Sequence, residues 1–115
     1  MLINQTTSDT LATQIVLCNT FWRKFKGLMF KRALPADCAY VFIYGRESIA
    51  DASIHMFFVP FSIAVIWLDA HKCVVDTAVA RPWRPYYAPK RAAQYFVEGA
   101  PELLDRVKLG DILDF

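Results

Sequence analysis

The 115-residue chain predicts a mainly β or α+β fold, a small closed or partly open β-barrel with two short helices; a two-layer α+β sandwich is the alternative. Three observations predict this. Short apolar stretches rich in Val, Ile, Phe and Tyr recur along the chain between turn residues. Only two segments, 21–29 and 101–107, carry helical spacing or helix-start chemistry. A chain of this size buries roughly two-thirds of its unfolded surface in one core without needing disulfides or metal, so residues 1–115 read as a single domain.

The elements follow in order. Residues 1–10 read as a flexible N-terminal segment. Ala12 to Cys18 alternates as a first strand, and Asn19-Thr20 supplies N-cap chemistry for a helix over residues 21–29. At 100° per residue, Phe21, Trp22, Phe25, Leu28 and Met29 share one arc, opposite Arg23, Lys24, Lys26 and Gly27. Leu34-Pro35-Ala36-Asp37 is a turn, and Ala39 to Tyr44 is a strand apolar on both faces, hence central. Gly45 to Asp51 reads as a loop, and Ser53 to Val59 and Ile63 to Leu68 as two strands joined at Pro60-Phe61-Ser62. Asp69-Ala70-His71-Lys72 makes a tight hairpin turn into Cys73 to Val79. Ala80 to Lys90 contains three prolines and is an irregular loop. Ala93 to Glu98 returns as a strand, Pro101 to Val107 is a short helix, and Leu109 to Leu113 closes the fold.

Composition excludes several classes. No apolar run reaches the ~20 residues needed to cross a bilayer as a helix, and residues 1–9 lack a signal peptide's basic start and apolar stretch. The expectation is a cytoplasmic protein without membrane insertion. Cys18, Cys38 and Cys73 are odd in number and far apart, and read as reduced thiols in apolar surroundings. No metal-ligand spacing, phosphate-binding loop or dinucleotide fingerprint is present, so no metal or cofactor is expected. The net charge of +2 is split: residues 1–97 hold 11 Lys and Arg against 6 Asp and Glu, and residues 98–115 hold 2 against 5. Two basic runs, 23–32 and 81–91, form an anion-attracting face if they converge and ordinary solvated surface if they do not.

His55 stands out among candidate functional residues because an imidazole in an apolar stretch needs a hydrogen-bond partner or a reason to be exposed. As a strand residue it would share a face with Ser53 and Phe57. It reads as a structural histidine or as a ligand or base, and His71, in a turn beside Lys72, reads as solvated. The segment Arg81-Pro82-Trp83-Arg84-Pro85-Tyr86-Tyr87 interleaves guanidinium groups with aromatic rings on a stiff backbone. Arginine grips a phosphate or carboxylate while an aromatic ring stacks on a flat ligand; the plainer reading has Trp83 capping the core while the arginines stay in water. Asp51, Asp69, Asp76 and Glu98 are the acidic candidates, and each reads as structural or solvated. Glu98 in particular is expected to be an exposed acid at a strand end.

The ordered set Lys24-x-Lys26-Gly27-Leu28-Met29-Phe30, Leu34-Pro35, Val41-Phe42, Ile54-His55-Met56, Phe61-x-Ile63-x-Val65-Ile66-x-Leu68-Asp69, Pro82-Trp83-Arg84 and Gly110-Asp111 resembles the domain-of-unknown-function 192 family from about Phe21 to the C-terminus. The resemblance implies a β-rich, barrel-like domain and brings no reaction, substrate or cofactor. It also marks departures: Ala64 stands where the family pattern has an aspartate, Ser62 where it has a proline, and Lys24 where it has an arginine. A family Leu-Glu-Leu-x-Ala-Gly segment is here Val97-Glu98-Gly99-Ala100-Pro101-Glu102. Three functions remain open. The first is a non-enzymatic binding module whose barrel mouth, lined by His55, Trp83, Arg84, Lys24 and Arg81, takes a small anionic or aromatic ligand. The second is a hydrolase-like or acid/base enzyme using His55. The third is a module that docks nucleic acid or protein through residues 81–91.

Overall fold

The structure, a computed structural model, describes residues 1–18, 33–34 and 37–115. In chain order these form β1 (Leu2–Asn4), β2 (Asp9–Ala12), β3 (Gln14–Cys18), β4 (Cys38–Ser48), β5 (Ile63–Leu68), β6 (Val74–Ala80), β7 (Ala93–Gly99), a 3-10 helix (Pro101–Arg106) and β8 (Leu113–Asp114). The expected helix over 21–29 lies outside the described residues.

The β-rich α+β class holds; the barrel does not. The strands form a five-stranded sheet of order β3-β4-β7-β5-β6 and a three-stranded sheet of order β2-β1-β8. In the larger sheet β3 and β4 are parallel and the other pairs antiparallel. Its edges, β3 and β6, are not joined, so the sheet stays open. The composition of β5 explains this: all six residues from Ile63 to Leu68 are buried. A strand apolar on both faces needs a cover on each, whereas a small barrel buries only its inner face.

The two covers differ in kind. On one face Phe42, Val65, Trp67 and Phe96 pack under Ala52, Ile54, Met56 and Val59 from the connection between β4 and β5. On the other, Val41, Ile66, Leu68 and Val97 pack against Leu2, Leu11, Leu103, Val107 and Leu113 from the smaller sheet and the 3-10 helix. Trp67 fixes the first cover by donating its indole N–H to Ala52 O at 2.8 Å.

Several expectations need correction. The first ten residues, expected to be flexible, contain β1 and the start of β2, with Leu2 and Asn4 fully buried. β4 runs on to Ser48, through residues read as a loop, with a register irregularity against β7 between Ile43 and Ser48. Ser53 to Val59 is not a strand: only Ile54 forms a bridge, to Tyr87. The helix after β7 is 3-10 rather than α, opened by Pro101 without a side-chain cap, and among the described residues it stands alone. The meander was legible: β5 and β6 are joined through Asp69, whose Oδ1 accepts from His71 N at 2.8 Å and Cys73 N at 3.0 Å.

Candidate functional site

The two segments singled out from sequence are paired with each other through the backbone. Ile54 and Tyr87 exchange two hydrogen bonds, N–H to O at 2.8 and 2.9 Å. One step along, Met56 N donates to Arg84 O at 2.8 Å and Trp83 N donates to Met56 O at 2.9 Å. The alternation that resembled a strand has a real cause. Ile54 and Met56 point into the core while their backbone groups bond to a second loop in place of a sheet neighbour. Arg81 N donates to the Tyr87 hydroxyl at 2.9 Å, tying the start of that loop to its middle.

This pairing produces an unusual surface. Phe57 and Phe58 are each 44% exposed, Trp83 53% and Tyr86 65%, and Arg81 and Arg84 are exposed beside them. Phe58 and Trp83 meet edge to face with ring centroids 5.2 Å apart. Both adopt left-handed backbone, φ 60° and 64°, a conformation that costs a non-glycine residue about 1–2 kcal/mol. The paired loops hold two large rings in strained positions without burying them.

His55 is half-buried at the edge of this surface. Its Nδ1 accepts from Phe57 N at 3.2 Å and its ring lies 5.4 Å from that of Phe57. The bond assigns a neutral imidazole with the hydrogen on Nε2. Among the described residues no carboxylate hydrogen-bonds His55, so the second partner that an acid/base pair requires is missing there. Arg81, Trp83 and Arg84 lie on one loop that pairs with the His55 segment, and Lys24 lies outside the described residues. The same holds for the basic run 23–32, so the choice between a shared anion-attracting face and separate solvated surfaces falls outside them too. With no barrel there is no barrel mouth: these residues make an exposed ledge. Cavities of about 500 Å³ open elsewhere, one beside Leu34, Cys38, Pro101 and Arg106, and another beside Thr6, Asp9, Asp105 and Lys108.

Glu98, expected as an exposed acid at a strand end, is instead buried. It sits on β7 opposite Tyr40 of β4 and Val65 of β5, and only 6% of it is exposed. Burial pushes its carboxyl up to about 8. Nearby, Tyr44 is pushed up to about 12, first by burial and then by the negative charge of Asp51, Glu98 and Cys18. The signal was available in the alternation of β7: Glu98 shares a face with Phe96, which is core. Of the other acids, Asp69 and Asp76 bond to backbone N–H groups, and Asp51 pairs with Arg46 at 3.7 Å. No disulfide joins the three cysteines; Cys18 is buried and Cys38 and Cys73 are half-buried. Among the described residues no group of three or more metal-ligating side chains comes together, and no helix is long and apolar enough to cross a membrane.

Comparison with known proteins places this geometry in context. Residues 3–115 match the model of the DUF192 family, described as uncharacterized ACR. A UPF0127 protein of Thermococcus kodakarensis is 40% identical over 117 residues, covering 100% of this chain and 73% of its own length. A UPF0127 protein of Pyrococcus furiosus is 34% identical, covering 99% of this chain and 97% of its own. Among solved structures, a protein of unknown function from Novosphingobium aromaticivorans shares the fold with a TM-score of 0.79 at 21% identity, over 88% of this chain and 74% of that one.

Proposed function

Since the chain belongs to the DUF192 family, to which no reaction is attached, we propose its function from its own surface: a non-enzymatic binding module that takes a small anionic or aromatic ligand on the paired-loop ledge. One observation carries the reading. Phe58 and Trp83, both exposed, adopt left-handed backbone, Trp83 where its N–H bonds across the loops to Met56 O and Phe58 within the turn closed by Val59 N and Met56 O, with Arg81 and Arg84 beside them. Strain that core packing does not require is characteristic of binding surfaces, and exposed aromatic patches mark interaction sites. A fixed ring supplies a stacking face at low entropic cost, and a guanidinium group supplies a bidentate grip on a carboxylate or phosphate. His55 supports the ledge by capping the turn at Phe57 and needs no catalytic role.

The test is a titration of the protein with benzoate and with adenosine monophosphate, followed by thermal midpoint and tryptophan fluorescence. A ligand bound to the folded state raises the midpoint by mass action. The expected result is a saturable rise that Trp83→Gly and Arg84→Ala each remove. Trp83→Gly relieves the left-handed strain but loses the edge contact with Phe58, effects of about 1 kcal/mol each and opposite in sign; its stability should therefore stay close to that of the parent. No response to either probe overturns the reading. A single-stranded oligonucleotide is the control: binding that weakens steeply with salt while both small probes fail assigns the ledge to nucleic acid instead.

A further inference from the structure

The ledge extends past the two rings that meet edge to face. Besides Phe58 and Trp83 it takes in Phe57, Tyr86 and Ile49, all exposed. Ser53 joins the last two, its hydroxyl donating to Ile49 O at 2.8 Å and accepting from the Tyr86 hydroxyl at 3.1 Å. The charge around these side chains is of one sign. Residues 52–62 hold no Asp, Glu, Lys or Arg, and residues 77–97 hold four Lys and Arg and no acid. Two of those cations, Arg81 and Arg84, are exposed on the same loop as Trp83.

The backbone beneath them is bonded within the protein. Ile54, Met56, Trp83 and Tyr87 direct their N–H groups across the two loops, Val59 donates to Met56 O and Phe57 to His55 Nδ1. Pro60, Pro82 and Pro85 have no N–H to satisfy. Backbone donors that already have partners can enter a medium poor in water without losing hydrogen bonds. Aromatic side chains favour the boundary between lipid head groups and acyl chains, and guanidinium groups grip phosphate in bidentate geometry. A bilayer needs no pocket of matched shape, only apolar side chains flanked by cations. A second copy of this chain suits the ledge less well. A two-fold contact sets a patch against itself, and here it would bring Arg81 and Arg84 against like charge with no acid in either segment to neutralise them.

We propose that the ledge docks the protein on the surface of an anionic lipid bilayer, with Phe57, Phe58, Trp83 and Tyr86 entering the head-group boundary and Arg81 and Arg84 holding lipid phosphates. The proposal rests on the reading of the ledge as a binding surface and names its anion as a lipid head group. The protein lies on the bilayer and does not span it.

The test is co-sedimentation of the intact protein with vesicles of phosphatidylcholine alone and of phosphatidylcholine with a minor share of phosphatidylglycerol, at low and at high salt. Tryptophan emission is followed in the same samples, with brominated acyl chains as quencher. The expected result is binding to the anionic vesicles that weakens with salt, little binding to the neutral ones, and a blue-shifted, quenched emission. Trp67 is buried in the core, and loss of the shift in Trp83→Gly assigns the signal to the ledge. Arg84→Ala should weaken the partition about fivefold and Trp83→Gly about tenfold. Phe57→Ala, at an exposed position, is the second ring variant: it should weaken vesicle binding and leave any response to benzoate intact, because only a bilayer uses the full width of the patch. No co-sedimentation with anionic vesicles at low salt overturns the proposal. So does vesicle binding that all three variants leave unchanged, since it then belongs to another face. Glycerol phosphate in solution separates the two sources of the anion: if it displaces the protein from vesicles at its own modest concentration, the ligand is a free phosphate and the bilayer proposal fails. A concentration-dependent dimer that Trp83→Gly abolishes gives the ledge to a second copy and overturns it too. A response to benzoate or adenosine monophosphate without vesicle binding ends this proposal and leaves the small-ligand reading, whereas vesicle binding without either response does the reverse.

Discussion

Ionising Glu98 inside the sheet carries a cost that depends on pH. In the unfolded chain this carboxyl titrates near 4.5, and in the folded protein burial moves it up to about 8. Between those values the folded state holds a proton that the unfolded state has lost, so stability falls as pH rises. The stabilising contribution is complete below about 4.5 and gone above about 8. The slope across the middle of this window is about 1.4 kcal/mol per pH unit. Urea unfolding at pH 5, 6, 7 and 8 should show the midpoint of the parent decreasing, with the Glu98→Gln protein flatter by that slope. Equal pH dependence in the two proteins would mean that Glu98 is ionised in the fold. Asp9 and Asp37 do not confuse the comparison. Arg106 beside Asp9, and the Thr13 hydroxyl and N–H at Asp37, hold these carboxyls below the usual range, so their effects fall at pH values more acid than the window.

Elements were legible where local chemistry decides them and illegible where a distant partner does. The β5–β6 hairpin is decided locally, because Asp69 bonds the backbone of its own turn, and its sequence announced it. Ser53 to Val59 has a strand's alternation, yet its partner is a proline-rich loop about thirty residues later, a pairing that periodicity cannot register. Likewise the acid on β7 looked like a strand-end residue: alternation places it on the face of Phe96, but nothing local shows that strands flank it on both sides. The junction between β7 and the 3-10 helix offers a test at this scale. A Cβ on Gly99 would lie 2.5 Å from Leu103 Cδ1, and Leu103 is itself buried. A methyl at residue 99 would force the buried Leu103 side chain to shift. Gly99→Ala should cost about 1–3 kcal/mol by overpacking. Gly110→Ala meets open space but sits at φ 93°, so strain alone should cost it about 1–2 kcal/mol. Chemical denaturation of both separates steric from conformational cost: in a Leu103→Ala background, which carries its own cavity cost, Gly99→Ala should destabilise by less than it does in the parent, while Gly110→Ala should destabilise by the same amount.

At the scale of the whole molecule, the two ends of the chain are joined through a polar knot that the first residues gave no reason to expect. β1 lies between β2 and β8, pairing Ile3 with Asp114 and Asn4 with Leu113. Asn4 is fully buried. Its Nδ2 donates to Asp111 Oδ2 and to Arg106 O at 3.1 Å, while its Oδ1 accepts from Thr6 N at 3.1 Å. Leu2, beside it, covers the sheet face opposite the ledge. The N-terminal residues are therefore half of a cover whose other half is C-terminal. Two substitutions separate the polar part from the apolar part. Leu2→Ala removes a filled position and should cost about 2–5 kcal/mol. Asn4→Ala takes a hydrogen-bond donor from a buried carboxylate and should cost about 1–3 kcal/mol or more. The second loss should be coupled to Asp111, since Asp111→Asn in the Asn4→Ala background removes the unpaired charge and should restore part of the stability. Purely additive losses in that cycle would mean that the two side chains do not act on each other. In either single variant the ledge, on the other face of the five-stranded sheet, should keep its ligand response under conditions where the protein is folded. Loss of that response in a folded variant would show that the two covers are coupled through the sheet.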